Sequence, residues 1–166
     1  MVGAPDAIIC DAAREQKSEN LKKFLGELGT TLRVLEERTP WANKAELYIG
    51  LMKEAVRKDM KSSSCVLAFW DYCVEQRARI NNMTAKGTFQ LHGQNAHTAT
   101  ISEQGDISNL CQYDWYDWCY FQDQGAKFPF NHEVLGRVLG PAKGEGNEMA
   151  QWILKSNGNV VPRRTS

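Results

Sequence analysis

The chain has 166 residues, which is about the length of one domain. Hydrophobic residues make up 42% and charged residues 24%, so wholesale disorder is excluded. Lys and Arg total 20 and Asp and Glu total 20, which excludes a polybasic nucleic-acid-coating protein but leaves room for a local basic face. The longest apolar run, Cys65 to Trp70, is far shorter than the roughly twenty residues of a membrane span, so we expect no membrane partner.

The first residues and the cysteines indicate the compartment. Met1 to Asp6 has neither the basic region nor the apolar region of a secretory signal. Five cysteines, an odd number without CxxC spacing, are typical of reduced thiols. We therefore expect an intracellular protein of the cytoplasm or nucleus.

Strand and helix patterns alternate at the start of the chain. Asp6 to Cys10 predicts a short buried strand. Ser18 is a helix N-cap, and Gly29 ends that helix. Thr31 to Leu35 predicts a second strand. This alternation favours a parallel or mixed sheet.

Helical patterns follow in the middle of the chain. The spacing of apolar residues predicts a helix from Lys44 to about Met60, a hinge over 61–64 and a further helix from Cys65 to about Ile80. Residues 81–104 are polar and loop-like, with one short helix near Thr98.

The composition changes after Gly105. Tyr113 to Phe121 is crowded with aromatic residues, and Asn157-Gly158 between two apolar runs predicts a hairpin. The remaining strands are predicted at 134–139, 149–154 and 160–161. Residues 105–166 therefore read as a small all-β module that packs on a neighbour, because so short a module rarely folds alone.

One pair of carboxylates is a candidate metal site. Asp11 follows the first predicted strand, and Glu46 lies in the first turn of the helix that begins at Lys44, 35 positions later. Mg²⁺ prefers oxygen ligands and takes few of them from protein. The alternative interpretation is a strand-end Asp in a turn and a first-turn Glu favoured by the helix dipole.

A second candidate is zinc bound by His92, His97, Cys111 and Cys119. The cysteines are separated by seven residues, whereas zinc ribbons and fingers use two to four. Loop histidines and small buried cysteines are the favoured interpretation.

Two further features could meet nucleic acid. The aromatics of Tyr113 to Phe121 could stack on bases, although alternating aromatics in a strand more often build a core. Lys53, Arg57 and Lys61 could meet phosphates, although such a helix face is more often simply solvated.

The order of these motifs resembles a known family. Ile8 to Ser18 resembles the strand that presents the second catalytic Asp of retroviral-type integrases. Thr39 to Glu46 resembles the loop and helix start that present their catalytic Glu. The copia-type branch of LTR retrotransposons is the most similar, and Trp70, Asn81 and Asn82 fall where its next helix has Trp and Asn.

The tail resembles the SH3-like barrel that follows the catalytic core in that branch. The resemblance is carried by 135–141, by the Trp-bearing stretch 151–155 and by 159–164, which runs into two arginines. The expected fold class is therefore α/β, with a truncated ribonuclease-H-like integrase core over 1–104 followed by a small SH3-like β-barrel over 105–166.

The resemblance implies roles for particular residues. Asp11 and Glu46 would be catalytic and would bind Mg²⁺ or Mn²⁺. Lys53 and Arg57 would contact DNA phosphates. The barrel's expected DNA contacts are Arg137, Arg163 and Arg164. DNA is the implied partner, and a homo-oligomer is compatible with this reading.

The chain also departs from the family pattern. The first catalytic Asp belongs to an earlier strand, and only ten residues precede Asp11. Ala12-Ala13 replaces the usual Asn-Gly, Leu47 replaces Arg, and Gly50 replaces a basic residue. We expect a fragment of a Pol polyprotein integrase that is inactive alone, with DNA end processing and strand transfer belonging to the full-length parent.

Two rival functions come from other classes. A non-catalytic nucleic-acid-binding module would bind DNA in a salt-dependent way without metal. A protein-interaction domain would use Tyr113 to Phe121 as a hydrophobic docking edge.

Overall fold

The structure is a computed structural model of the full chain. The residues that it describes are 4–10, 18–35, 44–85, 87, 91–123, 125, 128–129, 132–142 and 149–165. The chain divides into two compact units, Met1–Leu51 and Met52–Ser166. The predicted boundary at residue 105 lies within the second unit and stays a prediction.

The described elements form a mixed α/β chain in which a parallel strand pair and helices precede a four-stranded antiparallel sheet. In chain order they are β1 (Ala7–Cys10), α1 (Glu19–Glu27), β2 (Thr31–Val34), α2 (Lys44–Ser63), a 3₁₀ turn (Leu67–Phe69), α3 (Trp70–Met83), α4 (Ala96–Ile101), α5 (Ser108–Cys111), β3 (Trp118–Gln122), β4 (Glu133–Pro141), β5 (Ala150–Leu154) and β6 (Val160–Arg164).

The first unit contains the predicted strand–helix–strand order. β1 and β2 pair in parallel, as the alternation indicated. The Ser18 side chain accepts a hydrogen bond from the Leu21 backbone N–H, 3.3 Å away, which confirms the N-cap. Gly29 follows the helix with φ 71°, a left-handed conformation that suits glycine. The prediction that β1 is buried is wrong, because Ile9 is 59% exposed in a sheet of only two described strands.

Helix α2 begins where it was predicted but continues past the expected hinge. It ends at Ser63, and Ser64 follows in a left-handed backbone conformation, with φ 53°. The Cys65 backbone N–H then donates to the Met60 carbonyl, a C-terminal capping bond. The hinge prediction was wrong because the hydroxyls of Ser62 and Ser63 both donate to the Asp59 carbonyl, so these serines fit the last turn.

The described residues of the second unit form two hydrophobic clusters. One packs α2 against α3 and the segment before β3, and its buried members are Val56, Met60, Cys65 and Cys73. The other lies on the buried side of the antiparallel sheet, and its buried members are Cys119, Phe121, Val138 and Ile153. The predicted helix from Cys65 instead begins with a 3₁₀ turn, and α3 proper starts at Trp70.

The antiparallel sheet has the strand order β3-β4-β5-β6. The hairpin at Asn157-Gly158 is confirmed, with φ 85° at Gly158 between β5 and β6. Phe121 in β3 also pairs with Thr165 just after β6, so the first and last strands meet. The short helix near Thr98 is confirmed as α4, which Asn95 caps.

No described helix is both long enough and apolar enough to cross a membrane.

Candidate nucleic-acid interface and metal ligands

The predicted metal pair is only partly visible. Glu46 is exposed in the first turn of α2, where the helix dipole favours a negatively charged side chain. Asp11 and the loop before α2 lie outside the described residues. Among the residues that are described, no group of three or more His, Cys, Asp and Glu side chains could hold a metal ion. One described carboxylate does not make a metal centre, so the metal assignment stays a prediction.

Lys53 and Arg57 lie one helical turn apart on α2. Both are exposed, whereas Val56 and Met60 on the same helix are buried. Residues four apart share a face of a helix, so the two cations present their charge together. Their exposure is compatible with phosphate contact, and the DNA role assigned to them stays a prediction.

Trp118 and Tyr120 point out of the antiparallel sheet. They are 57% and 56% exposed, while their neighbours Cys119 and Phe121 are buried, in the alternation of a strand with one packed side. The expectation that this aromatic run builds a core therefore holds for Phe121 and not for Trp118 or Tyr120. Alternation puts these residues on opposite sides of the strand, but the sequence does not say which side is packed, because both sides carry aromatic residues.

The adjacent strand completes this surface. Trp118 pairs with Arg137 and Tyr120 pairs with Leu135, and cross-strand partners share one side of a sheet. We call these four residues the β3–β4 outer face. Leu135 is 40% exposed, so the face combines two aromatic rings, one aliphatic side chain and one guanidinium.

Arg137 is held by contacts within the chain. Its guanidinium carbon lies 3.6 Å from the centroid of the Trp118 ring and 4.8 Å from that of Tyr116. Its Nη1 also donates to the Tyr116 carbonyl over 2.8 Å. Such stacking is typical of arginine, whose planar group is weakly hydrated. Arg137 therefore fixes the aromatic rings and keeps a positive charge beside them.

The two arginines of β6 differ in environment. Arg164 is exposed, and Arg163 is half-buried. The Nη1 atom of Arg163 donates to the Pro162 carbonyl, and its buried Nε has no hydrogen-bond partner among the described residues. Arg164 is thus the more accessible of the two for a phosphate. The DNA roles of both stay predictions.

An ion pair ties the end of β3 to the end of β5. Lys155 Nζ donates to Asp123 Oδ2 over 2.8 Å, and both side chains are about three-quarters covered. The hydrogen bond from Lys155, and then the one from the Gly125 backbone N–H, lower the pKa of the Asp123 carboxyl. The Lys155 cation is therefore committed to Asp123 and is poorly placed for DNA.

The zinc alternative gains no support. Cys119 is buried in the sheet, where desolvation raises the pKa of its thiol to about 11, whereas Cys111 is exposed on α5. A zinc ligand must be a thiolate, which burial of this kind disfavours. Neither cysteine belongs to a metal-binding group within the described part of the chain.

Comparison with known proteins found a likeness among solved structures. No protein-family model matches the chain, and no curated protein matches it. A chain in the cryo-EM structure of the simian T-cell lymphotropic virus intasome in complex with PP2A regulatory subunit B56 gamma is 15% identical, with a TM-score of 0.47. The match covers 98% of this chain and 56% of that one. We draw no functional conclusion from a likeness at this level.

Proposed function

We propose that the chain is part of a retroviral-type integrase of the copia-type LTR retrotransposon branch, and that its own activity is DNA binding. The observation that carries the DNA-binding function is the β3–β4 outer face, where Trp118 and Tyr120 are more than half exposed beside the Arg137 guanidinium. The integrase assignment rests on the resemblance of the sequence motifs. Exposed rings next to fixed positive charge are the usual platform for single-stranded nucleic acid. The antiparallel sheet would be the family's SH3-like barrel.

Each residue that the proposal uses has a physical role of its own. Bases would stack on Trp118 and Tyr120, which requires no particular sequence because every base has a π-face. Arg164 and the α2 cations Lys53 and Arg57 would neutralise phosphates. Arg137 would act mainly by keeping the Trp118 ring in place. Binding should therefore depend on salt, without a metal requirement.

The integrase assignment adds a metal site to the proposal. In the full-length parent, Asp11 and Glu46 would be two of three carboxylate ligands for Mg²⁺ or Mn²⁺. Such ions activate the attacking oxygen and stabilise the leaving oxygen in phosphoryl transfer.

The DNA-binding proposal is tested by fluorescence anisotropy with labelled single-stranded and duplex oligonucleotides over a range of salt concentrations. The Trp118→Ala, Tyr120→Ala double variant should lose about 1–3 kcal/mol per stacked base, with an unchanged salt slope. Phe24→Ala is the matched control, because Phe24 is 56% exposed but lies on α1. Equal affinity of the double variant and the natural chain would refute the assignment of this face.

The metal proposal has a separate test. Isothermal titration calorimetry with Mg²⁺ and Mn²⁺ should detect binding that Asp11→Asn and Glu46→Gln each abolish. Glu54→Gln, an exposed acid further along α2, is the control. Absence of metal binding in a folded chain would leave the DNA-binding function standing without the integrase chemistry.

A protein-interaction function has one observation in its favour. Leu135 and Tyr120 give the β3–β4 outer face an apolar part, and protein docking sites are often apolar patches with a polar rim. The anisotropy experiment separates the two functions, because a docking surface for protein predicts no affinity for either oligonucleotide.

A further inference from the structure

Two polar side chains continue the outer side of the antiparallel sheet just beyond Tyr120. Gln122 is the last residue of β3 and Glu133 is the first of β4, and the two are direct partners in the register. Alternate residues of a strand point to the same side, so Gln122 lies on the side of Trp118 and Tyr120. Gln122 and Glu133 are both exposed. The β3–β4 outer face is therefore bordered by an amide and a carboxylate.

Both side chains are within reach of a base that stacks on Tyr120. Gln122 follows Tyr120 by two positions in the same strand, and Glu133 is its diagonal neighbour across the β3–β4 pair. Diagonal neighbours on one side of a sheet lie about 7–8 Å apart, a distance that long side chains bridge. A base lying on the Tyr120 ring would thus present one of its edges to the amide and the carboxylate.

The hydrogen-bonding groups of this pair match those of guanine. The Gln122 amide supplies N–H donors, and the Glu133 carboxylate supplies acceptors. The Watson–Crick edge of guanine presents the O6 acceptor followed by the N1–H and N2–H donors. One amide donor and two carboxylate oxygens complement all three groups. Two parallel N–H groups on one carboxylate also form the stronger, charge-assisted kind of hydrogen bond.

The other bases fit this pair less well. Thymine has a single N–H between two carbonyl oxygens, and those oxygens would meet the lone pairs of the carboxylate. Adenine and cytosine each offer one amino group beside a ring-nitrogen acceptor, which leaves a carboxylate oxygen unsatisfied. The Watson–Crick edge is free for recognition only in an unpaired base, so this selection applies to a single strand.

The charges along β4 orient such a strand. Glu133 has an interaction within the chain, and a carboxylate offers about four acceptor positions, so it keeps capacity for a base. Its negative charge repels phosphates. Arg137 lies on the same side of β4, roughly 13 Å further along the strand, and attracts them. The base edge is therefore favoured near Glu133 and the sugar-phosphate backbone toward Arg137.

We propose that Gln122 and Glu133 give the β3–β4 outer face a preference for guanine in single-stranded DNA, at the position that stacks on Tyr120. This inference rests on the proposed DNA-binding function and adds a specificity to it, because stacking supplies affinity for any base and the polar pair selects one. The Gln122 amide would donate to O6, and the Glu133 carboxylate would accept from N1–H and N2–H.

The test measures binding of three single-stranded oligonucleotides to the full chain by fluorescence anisotropy. They are an oligothymidylate, the same strand with one central guanine and the same strand with one central hypoxanthine, the base of inosine. Hypoxanthine is guanine without the 2-amino group, so it keeps O6, N1–H and nearly all of the stacking surface. The test variants are Glu133→Gln and Gln122→Ala. Their matched controls, Glu103→Gln and Gln94→Ala, change exposed side chains outside the sheet.

We expect the guanine strand to bind about tenfold more tightly than oligothymidylate, with the inosine strand between them. Glu133→Gln should abolish the difference between guanine and inosine, because an amide has only one acceptor oxygen. Gln122→Ala should reduce the advantage of both over thymine equally, since both carry O6. The control variants should leave these affinity ratios unchanged. Ratios are compared because removal of the Glu133 charge also raises the affinity for every strand.

The outcomes separate this inference from the function on which it rests. Equal binding of the three strands by the natural chain would overturn the guanine preference and leave the DNA-binding function standing. A difference between guanine and inosine that survives Glu133→Gln would also overturn the assignment. No binding of any strand would contradict the DNA-binding function, and this inference with it. If Glu133→Gln does not fold, the comparison of guanine and inosine on the natural chain decides the outcome.

Discussion

The guanidinium of Arg137 lies over the indole ring of Trp118, 3.6 Å from its centroid, and the two residues are direct partners in the β3–β4 register. Arg137 also donates to the carbonyl of Tyr116, which has φ 67°, a conformation that non-glycine residues rarely adopt. The Tyr116 backbone N–H in turn donates to the Val138 carbonyl. Arg137 thus joins a strained turn to the strand that carries the exposed tryptophan.

The first prediction concerns the stability that this arrangement provides. Arg137→Ala should lower the free energy of unfolding by about 1–3 kcal/mol, because it removes both the stacking and a hydrogen bond. Arg137→Lys should recover only part of the loss, since an ammonium group cannot stack as a plane. Urea denaturation followed by tryptophan fluorescence measures both.

Arg164→Ala is the control for this experiment, because Arg164 is exposed at the end of the same sheet. It should change the unfolding free energy by no more than about 0.5 kcal/mol. Equal losses for Arg137→Ala and Arg164→Ala would contradict the structural role of Arg137.

The second prediction uses two glycines with opposite surroundings. A Cβ on Gly136 would lie 2.5 Å from Ile153 Cγ2 and 3.1 Å from the Leu154 carbonyl oxygen. Gly136→Ala should therefore cost about 1–3 kcal/mol by overpacking. Of the residues that the structure describes, none comes within 4 Å of a Cβ on Gly50 in helix α2, so Gly50→Ala should stabilise by up to about 1 kcal/mol. Chemical denaturation of both variants should give changes of opposite sign.

The third prediction concerns pH. Lys155 lowers the pKa of the Asp123 carboxyl in the folded chain, so the folded state holds this proton less tightly than the unfolded state. The stability from this pair is present above the unfolded Asp pKa of about 3.9 and is lost as the pH falls through the lower folded pKa. Asp123→Asn should thus be less stable than the natural chain at neutral pH.

The comparison over pH is the control for that effect. Denaturation curves of the natural chain and of Asp123→Asn should converge as the pH falls below about 4. A stability difference that is the same at neutral and acidic pH would contradict an electrostatic origin.

The fourth prediction concerns thiol reactivity. Burial raises the pKa of Cys73 to about 12 and that of Cys65 and Cys119 to about 11. Since the thiolate is the nucleophile, these three should not react with Ellman's reagent at pH 8 until the chain unfolds. Cys111 is exposed and should react first, and Cys111→Ser should remove that fast phase. A fast phase that survives this substitution at full amplitude would contradict the assignment.

Local chemistry explains which parts of the fold could be predicted from the sequence. The Ser18 cap and the Asn157-Gly158 hairpin each depend on a few neighbouring residues, and both are confirmed. The end of α2 was placed too early, because serines usually signal a loop, whereas Ser62 and Ser63 bond back to Asp59 in the last turn.

The candidate site depends more on contacts between distant residues. Strand alternation separates Phe121 from Trp118, but both sides carry aromatic residues, so it could not predict the exposure of Trp118. Its pairing with Arg137 depends on the register between two strands, which no local pattern determines. The roles of Asp11 and Glu46 rest on the resemblance alone, since Asp11 lies outside the described residues.

The most direct test of the account locates the bound DNA on the protein. Oligonucleotides carrying bromodeoxyuridine are cross-linked to the full chain by ultraviolet light, and the attached peptides are identified by mass spectrometry. Bases stacked on the β3–β4 outer face should cross-link to Trp118 or Tyr120. Saturated DNA binding with cross-links confined to other segments, or no binding by the folded chain, would contradict the proposed function.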